Sequence, residues 1–217
     1  MGVKERQERE REAVARSILD AARDLFVAEG YHNVSIRKIA ERIEYSPGSI
    51  YSYFPSKDDI FFALAEEGFR ILCTPDPSCP GQSDPLQAIR GAFWRVYEFS
   101  KSHPEYYALM FVDRNVPKIS RDWQRFGFVK EMRAQIGKVI QQAVDDGIFT
   151  AGTHSEAVFR ILFTAINGAA VSRLCDRAEP GEDADGLARD TLEAALTGLR
   201  TGFHKTFHPV PCEHPGE

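Results

Sequence analysis

Hydrophobic residues recur at helical spacing along nearly the whole chain, and no stretch of useful length alternates with the two-residue period of a strand. Between residues 12 and 29 the apolar side chains fall three or four positions apart, and Gly30 then follows as a stop signal. Further helical patterns cover residues 85–101, 104–114, 118–146, 154–177 and 184–206. The sequence therefore predicts an all-α protein of about nine helices.

Proline divides the chain into two parts. Residues 74–85 contain four prolines and one glycine, which makes this segment the clearest break in the helical pattern. The predicted organisation is a charged extension over residues 1–11, an N-terminal domain over 12–72, a helical-bundle domain over 85–206 and a flexible tail over 207–217.

The N-terminal domain contains two short helices joined by a tight turn. Ser35 is a suitable N-cap for a helix over residues 36–43, and Ser46 with Pro47 begins a second helix that ends at Phe54. Together with the helix over residues 12–29, these two short helices predict a helix-turn-helix at residues 35–54. Ser56 then caps a connecting helix over residues 57–72, which leads towards the second domain.

The second short helix has two different faces. Ile50 and Phe54 lie four residues apart and are expected to be buried, while the opposite face carries small and hydroxyl-bearing residues that can approach a DNA groove closely. Two structural helices of an ordinary bundle are the alternative. Tyr51 and Tyr53 favour DNA binding, because exposed aromatic side chains on so short a helix need a partner.

Residues 15–57 resemble the DNA-binding domain of the TetR/AcrR transcriptional regulators. The resemblance is carried by Ile18-Leu19-x-Ala21-Ala22, Gly30-Tyr31, Ser35-Ile36-Arg37, Ser46-x-Gly48-Ser49-Ile50-Tyr51-x-Tyr53-Phe54 and Ser56-Lys57. The chain departs from the family at Glu44-Tyr45, where glycine and a small aliphatic residue are usual, and at Pro47, which is often lysine. The turn must therefore form without glycine, and one base contact is lost.

The resemblance implies a homodimeric regulator that binds a palindromic, double-stranded operator, most simply as a repressor released by a small-molecule effector. It implies that Ser35 and Arg37 contact phosphates, and that Tyr51, Tyr53 and Lys57 hold the DNA backbone. The full set of predicted DNA-contacting residues is Ser35, Arg37, Ser46, Pro47, Gly48, Ser49, Tyr51, Ser52, Tyr53 and Lys57.

Aromatic side chains are frequent between residues 93 and 128. Aromatic residues at helical spacing are commonly core, but a bundle interior lined by aromatics and a few polar groups is also typical of a ligand pocket. The second interpretation predicts a hydrophobic or aromatic effector. Its candidate contacts are Trp94, Tyr97, Tyr106, Met110, Trp123 and Asn167.

The last two helices resemble in position the pair that dimerises these regulators. Each carries an apolar stripe, and the predicted interface residues are Val158, Leu162, Ala165, Ala169, Leu192, Leu196, Leu199 and Phe203. The same stripes are equally consistent with the core of a single protomer, since helical periodicity does not say what covers an apolar face.

Several function classes find no support. The chain has no nucleotide-binding glycine motif, no nucleophile elbow and no HExxH motif, so neither an enzyme nor a cofactor is predicted. No uncharged run exceeds twelve residues and the N-terminus is highly charged, so we expect a cytoplasmic protein outside the membrane. A metal-responsive regulator stays open as an alternative, because His204, His208, Cys212 and His214 have spacings that a metal could use.

The net charge of −5 is unfavourable for a DNA-binding protein. Residues 30–57 nevertheless carry four basic and two acidic side chains, and residues 45–56 carry none. The sequence thus predicts a protein that recognises bases through hydroxyl groups and shape, with weak non-specific attraction to DNA.

Overall fold

The computed structural model describes residues 2–74, 84–122, 124–175, 177 and 183–202. These residues form nine α-helices and no strand, which confirms the all-α prediction. The helices are α1 (Val3–Glu29), α2 (Ile36–Arg42), α3 (Pro47–Tyr51), α4 (Lys57–Cys73), α5 (Pro85–Ser102), α6 (Pro104–Tyr107), α7 (Gly127–Asp145), α8 (Ser155–Leu174) and α9 (Ala184–Thr201).

Helices α1, α2 and α3 pack around a small apolar centre. Ile18 and Phe26 of α1 meet Ile39 of α2 and Ile50 of α3, and all four side chains are almost completely buried. The hydroxyls of the three predicted N-caps each accept the backbone N–H three residues on, at 3.1–3.2 Å. These caps fix the starts of α2, α3 and α4 where the sequence predicts them.

Two helix boundaries in this domain differ from prediction. Helix α1 begins at Val3, so residues 3–11 extend it instead of forming a separate segment. This part of α1 is exposed and carries alternating charges, among them the Arg6–Glu10 pair at 2.8 Å, which favour a helix in water. Helix α3 ends at Tyr51, three residues before the predicted end at Phe54.

The predicted helix over residues 118–146 is wrong in its first part. A short 3-10 turn covers Ile119–Asp122, and α7 begins only at Gly127. Asp113 and Asp122 explain the irregular stretch, because their carboxylates accept backbone N–H groups of Asn115 and Arg125 and so favour turns. The π-helical turn Ala108–Val112 precedes this stretch and continues α6.

Helices α5, α7, α8 and α9 form the second bundle, with α8 packed against the other three. The Tyr97 hydroxyl donates to Asp185 at 2.9 Å, and Lys101 binds the other oxygen of that carboxylate at 2.6 Å, which ties α5 to the start of α9. Helix α8 is apolar, with a mean hydropathy of 1.3 over an 18-residue window, yet only 28% of that window is buried. By length and composition alone α8 could cross a membrane.

Helices α1, α4 and α6 join the two parts of the protein. Gly68 of α4 allows a close approach, since a Cβ there would lie 2.4 Å from the sulfur of Met110 and 3.1 Å from the Tyr106 ring. Arg23 of α1 lies 5.8 Å from the centroid of the Tyr106 ring on α6, and Arg16 ties α1 to Glu67 of α4 at 2.7 Å. The N-terminal domain is therefore bound to the bundle along α1 and α4.

The turn between α2 and α3 is made without glycine. Glu44 adopts φ +60°, and it is the non-glycine residue with positive φ within the described ranges. A left-handed conformation costs an ordinary residue about 1–2 kcal/mol. The turn therefore carries local backbone strain at the position where the resembling family usually has glycine.

Replacing Glu44 by glycine should stabilise the protein. The gain in the free energy of unfolding should be about 0.5–1 kcal/mol, because relief of the left-handed strain exceeds the extra chain entropy of glycine. Urea unfolding measures this, with Glu44→Ala as the control that removes the side chain but keeps the Cβ. A Glu44→Gly variant no more stable than Glu44→Ala would contradict the strain.

Candidate nucleic-acid interface and ligand cavity

Helix α3 is anchored by one side chain and otherwise faces outward. Ile50 is fully buried, whereas Pro47, Gly48 and Ser52 are exposed and Tyr51 keeps 53% of its surface exposed. Gly48 has no side chain, and a Cβ built there would meet nothing closer than 3.8 Å, so the helix backbone is open to a groove floor. The predicted face is thus present and solvent-accessible.

The serines in and beside α3 make local hydrogen bonds and still have donors and acceptors available for DNA. The hydroxyls of Ser46 and Ser49 lie 2.8 Å apart and share one hydrogen bond, which leaves the second O–H of the pair for an outside acceptor. Ser52 donates its O–H to the Ser49 carbonyl at 2.7 Å and keeps its oxygen lone pairs. Together they offer one donor and acceptors to base edges or phosphates.

Ser35 and Arg37 lie at the start of α2. Ser35 is exposed, and its hydroxyl caps the helix by accepting the Lys38 N–H. Arg37 pairs with Glu41 at 2.9 Å, but both side chains are mostly exposed, at 80% and 62%. Such surface pairs contribute only about 0–1 kcal/mol, so Arg37 can exchange Glu41 for a phosphate.

Lys57, a predicted DNA-backbone contact, makes hydrogen bonds inside the protein. Its ammonium group donates to the backbone carbonyls of Tyr31 at 2.9 Å and Val34 at 2.8 Å, and it lies 4.2 Å from the Tyr31 ring. Burial lowers the pKa of this lysine. Two of its N–H groups are therefore directed into the protein, where Lys57 holds the α1–α2 connection, and a contact of the third with the DNA backbone stays a prediction.

Arg11 is a residue that the sequence patterns did not single out. Its guanidinium donates to the carbonyl of Ser52 at 3.4 Å and lies 5.4 Å from the ring centroid of half-buried Tyr53, so a cation sits beside the end of the uncharged α3. Arg11 lies in a run of alternating charges over residues 4–12, so nothing in the sequence distinguishes it from its neighbours. Arg11 and Ser52 are 41 positions apart in the sequence, and local sequence patterns do not predict contacts between such distant residues.

The short turn Tyr31–Asn33 is held from two sides. The Tyr31 backbone N–H donates to Asp113 at 3.1 Å, and the Tyr31 hydroxyl donates to Asp58. Asp58 also lies 3.6 Å from the guanidinium of Arg121. Burial, and then the bond to Asp58, raise the pKa of Tyr31. The segment 113–121 therefore contacts the helix-turn-helix domain directly, in addition to the connection through α4.

A cavity of about 380 Å³ lies between α4 and this same segment. Its interior is apolar, with Phe61, Ala65 and Phe69 on one wall and Met110 and Phe111 on the other. The remaining lining residues are Asp113, Arg114, Val116, Pro117, Lys118, Ile119 and Ser120. This volume lies in the range of about 300–1,000 Å³ that is typical of small-molecule sites.

The predicted ligand residues do not form one wall. Met110 lines the cavity, and Trp123 lies outside the described residues. Tyr106 packs against Gly68 on α4, and Asn167 accepts the hydroxyl of Tyr107. Trp94 stacks near Tyr97, with ring centroids 4.9 Å apart. Tyr97 is completely buried, and burial and the bond to Asp185 raise its pKa to about 12.

The predicted dimer residues mostly lie inside the protomer. Ala165 is half-buried, and Phe203 lies outside the described residues. The others are at most 8% exposed and pack α8 and α9 within one chain, which matches the core alternative; they are Val158, Leu162, Ala169, Leu192, Leu196 and Leu199. A partner would meet the opposite face of these helices.

The alternative prediction of a metal site rests on four residues at the C-terminal end of the sequence. His204, His208, Cys212 and His214 lie outside the described residues. In the part of the chain that is described, no group of three or more His, Cys, Asp or Glu side chains could hold a metal ion.

Comparison with known proteins identifies the N-terminal domain. Residues 18–64 match the family model described as bacterial regulatory proteins, tetR family. The HTH-type transcriptional repressor Rv1474c of Mycobacterium tuberculosis (strain ATCC 25618 / H37Rv) is 44% identical over 52 residues, which are 24% of this chain and 28% of that protein. The HTH-type transcriptional regulator HbdR of Aromatoleum sp. (strain CIB) is 35% identical over 81 residues, 36% of this chain and 34% of that protein. The matched region spans roughly a third of these curated relatives.

The likeness in fold extends over most of the chain. The transcriptional regulator FadR from Bacillus subtilis, solved in complex with stearoyl-CoA, aligns with a TM-score of 0.66 over 85% of this chain and 98% of that chain, at 18% identity. Identity this low shows a shared fold and no more. The N-terminal domain is thus similar in sequence to the tetR family of bacterial regulatory proteins, and most of the chain shares the fold of a solved transcriptional regulator.

Proposed function

We propose that this protein is a DNA-binding transcriptional regulator that occupies a palindromic operator as a homodimer and is released by a small hydrophobic or aromatic effector. The observation that carries the proposal is α3, a capped helix that exposes Gly48 and Tyr51 within a TetR-family domain. On this proposal the chain is a repressor and not an enzyme, and it acts in the cytoplasm, where it meets DNA.

Base recognition would come from hydroxyl groups and shape. Tyr51 offers an exposed phenol, the Ser46–Ser49 pair offers one free O–H, and Gly48 allows the helix to enter the major groove closely. Ser35 and half-buried Tyr53 would contact the backbone beside the groove. No charge on α3 itself contributes, so the phosphate contacts must come from its neighbours.

Arg11 and Arg37 would supply those phosphate contacts. Arg11 is held beside the end of α3 by Ser52 and Tyr53, and it forms no ion pair among the described residues. Arg37 stands at the first turn of α2 with only an exposed partner. Two cations per protomer would give a modest attraction to the DNA backbone, which agrees with the acidic net charge of the whole chain.

The outward face of α8 and α9 would form the dimer interface. Ile161, Thr164, Gly168 and Val171 lie on one side of α8 and are half-buried or exposed, as is Leu187 on α9. The low burial of so apolar a helix is explained by a second copy covering this face. A two-fold dimer pairs two α3 helices for the two halves of a palindrome.

The cavity between α4 and residues 113–120 is the site that we assign to the effector. Its apolar interior suits the hydrophobic or aromatic molecule that the composition predicts. The FadR neighbour was solved with stearoyl-CoA, a ligand with a long apolar part, and this supports an effector that is at least partly apolar. An occupant here would press on α4, which leads directly into the helix-turn-helix domain.

Selection of bound duplexes from random DNA tests the proposal. Enrichment of a palindrome is expected, and Ser49→Ala with Tyr51→Phe should weaken binding to it by roughly 30-fold or more, since a dimer loses four hydroxyls worth about 0.5–1.5 kcal/mol each. Arg11→Gln should lower the slope of log affinity against log salt by about 2, one phosphate per protomer.

Arg6→Gln is the matched control for Arg11→Gln, because Arg6 lies on the same exposed helix and pairs with Glu10. It should leave the salt slope unchanged. A selection that enriches no palindrome would refute the operator, and equal slopes for the two arginine variants would refute the phosphate contact.

A charge introduced at Gly168 tests the dimer. A Cβ there meets no atom within 4 Å, so Gly168→Arg should leave the protomer folded while it places a cation in the interface. Sedimentation should show a dimer for the unchanged protein and a monomer for this variant. Gly91→Arg on α5 is the control, since Gly91 is exposed and equally open, and it should stay dimeric. If the Gly168→Arg variant stayed dimeric, the outward face of α8 and α9 would be excluded as the dimer interface.

A further inference from the structure

The cavity assigned to the effector has a basic rim. Arg114 and Lys118 line it and are exposed, whereas its apolar depth is formed by phenylalanine and methionine side chains. Among the described residues, the ion pairs of this region are Arg121 with Asp58 and Arg125 with Glu66. Asp113 is the one carboxylate among the described residues that line the cavity, against the two cations Arg114 and Lys118.

The outer wall of the cavity also contacts the helix-turn-helix domain. Asp113 lines the cavity and accepts the Tyr31 backbone N–H at 3.1 Å. Arg121 follows directly after the lining residue Ser120 and approaches Asp58, which in turn accepts the Tyr31 hydroxyl. One short segment thus forms part of a ligand site and touches the turn between α1 and α2.

We propose that the cavity binds an amphipathic anion, with an apolar body against α4 and a carboxylate at Arg114 and Lys118, and that its occupation releases Asp113 from Tyr31. This inference rests on the proposed function for its regulatory meaning. An anionic head is favoured because it would pair with Arg114 and Lys118, which form no ion pair within the described part of the chain. The same head would be repelled by Asp113.

Repulsion between Asp113 and the bound carboxylate would couple ligand binding to the release of Tyr31. The Asp113 carboxylate uses one oxygen for Tyr31 and the other for the Asn115 N–H at 2.8 Å. A second anion at the cavity mouth would draw Arg114 and Lys118 inward and displace this carboxylate. Tyr31 would then lose a bond that spans 82 residues, and the helix-turn-helix domain would be held by α1 and α4 alone.

Decanoate, decanol and decylamine test the chemical class, since they share one apolar body and differ in head-group charge. Calorimetry should give decanoate an affinity at least about ten-fold above that of decanol, with decylamine weakest. Arg114→Gln with Lys118→Gln, two exposed positions, should lower decanoate affinity to that of decanol. Equal affinities for the three probes, or unchanged decanoate binding in the double variant, would overturn the anion site.

Hydrogen exchange at the Tyr31 amide tests the release. Decanoate should accelerate exchange of this amide, and Asp113→Ala should accelerate it without any ligand, while buried amides of α1 stay protected. An unchanged Tyr31 rate with bound decanoate would overturn the release. Neither readout involves DNA, so a failed operator selection would refute the proposed function and leave these two measurements to decide the site.

Discussion

The turn at Tyr31 is the contact on which the relation between the two parts of this protein depends. Its carbonyl accepts a hydrogen bond from Lys57 of α4, its N–H donates to Asp113 and its hydroxyl donates to Asp58. Its ring is buried against Phe26 and Phe61. Because these bonds come from α4 and from the cavity wall, the orientation of the helix-turn-helix domain depends on both.

This arrangement accounts for an uncharged recognition helix in an acidic protein. Helix α3 is fixed by serine caps and one buried isoleucine, so its exposed residues are free to serve recognition. The cations that we propose for the DNA backbone, Arg11 and Arg37, lie on α1 and α2, outside the helix itself. The proposed regulator therefore depends on geometry between two copies more than on electrostatic attraction, which makes it sensitive to small rotations of this domain.

Local signals in the sequence were sufficient for the helix-turn-helix domain. Ser35, Ser46 and Ser56 cap helices as predicted, because capping involves residues only three positions apart. Features that depend on distant residues could not be predicted in this way. Periodicity revealed the apolar stripe containing Leu162 but not that this stripe is buried within the same protomer. The internal bonds of Lys57 join residues 23 and 26 positions apart, which no local pattern indicates.

The central claim is that the cavity and the DNA-contacting helix are coupled through Tyr31 and α4. The most direct test is the affinity of decanoate for the protein, measured alone and again with a saturating, selected operator duplex. Coupling requires that DNA weaken decanoate binding by the same factor by which decanoate weakens DNA binding. The account predicts this reciprocal loss, and identical decanoate affinities with and without operator would contradict it.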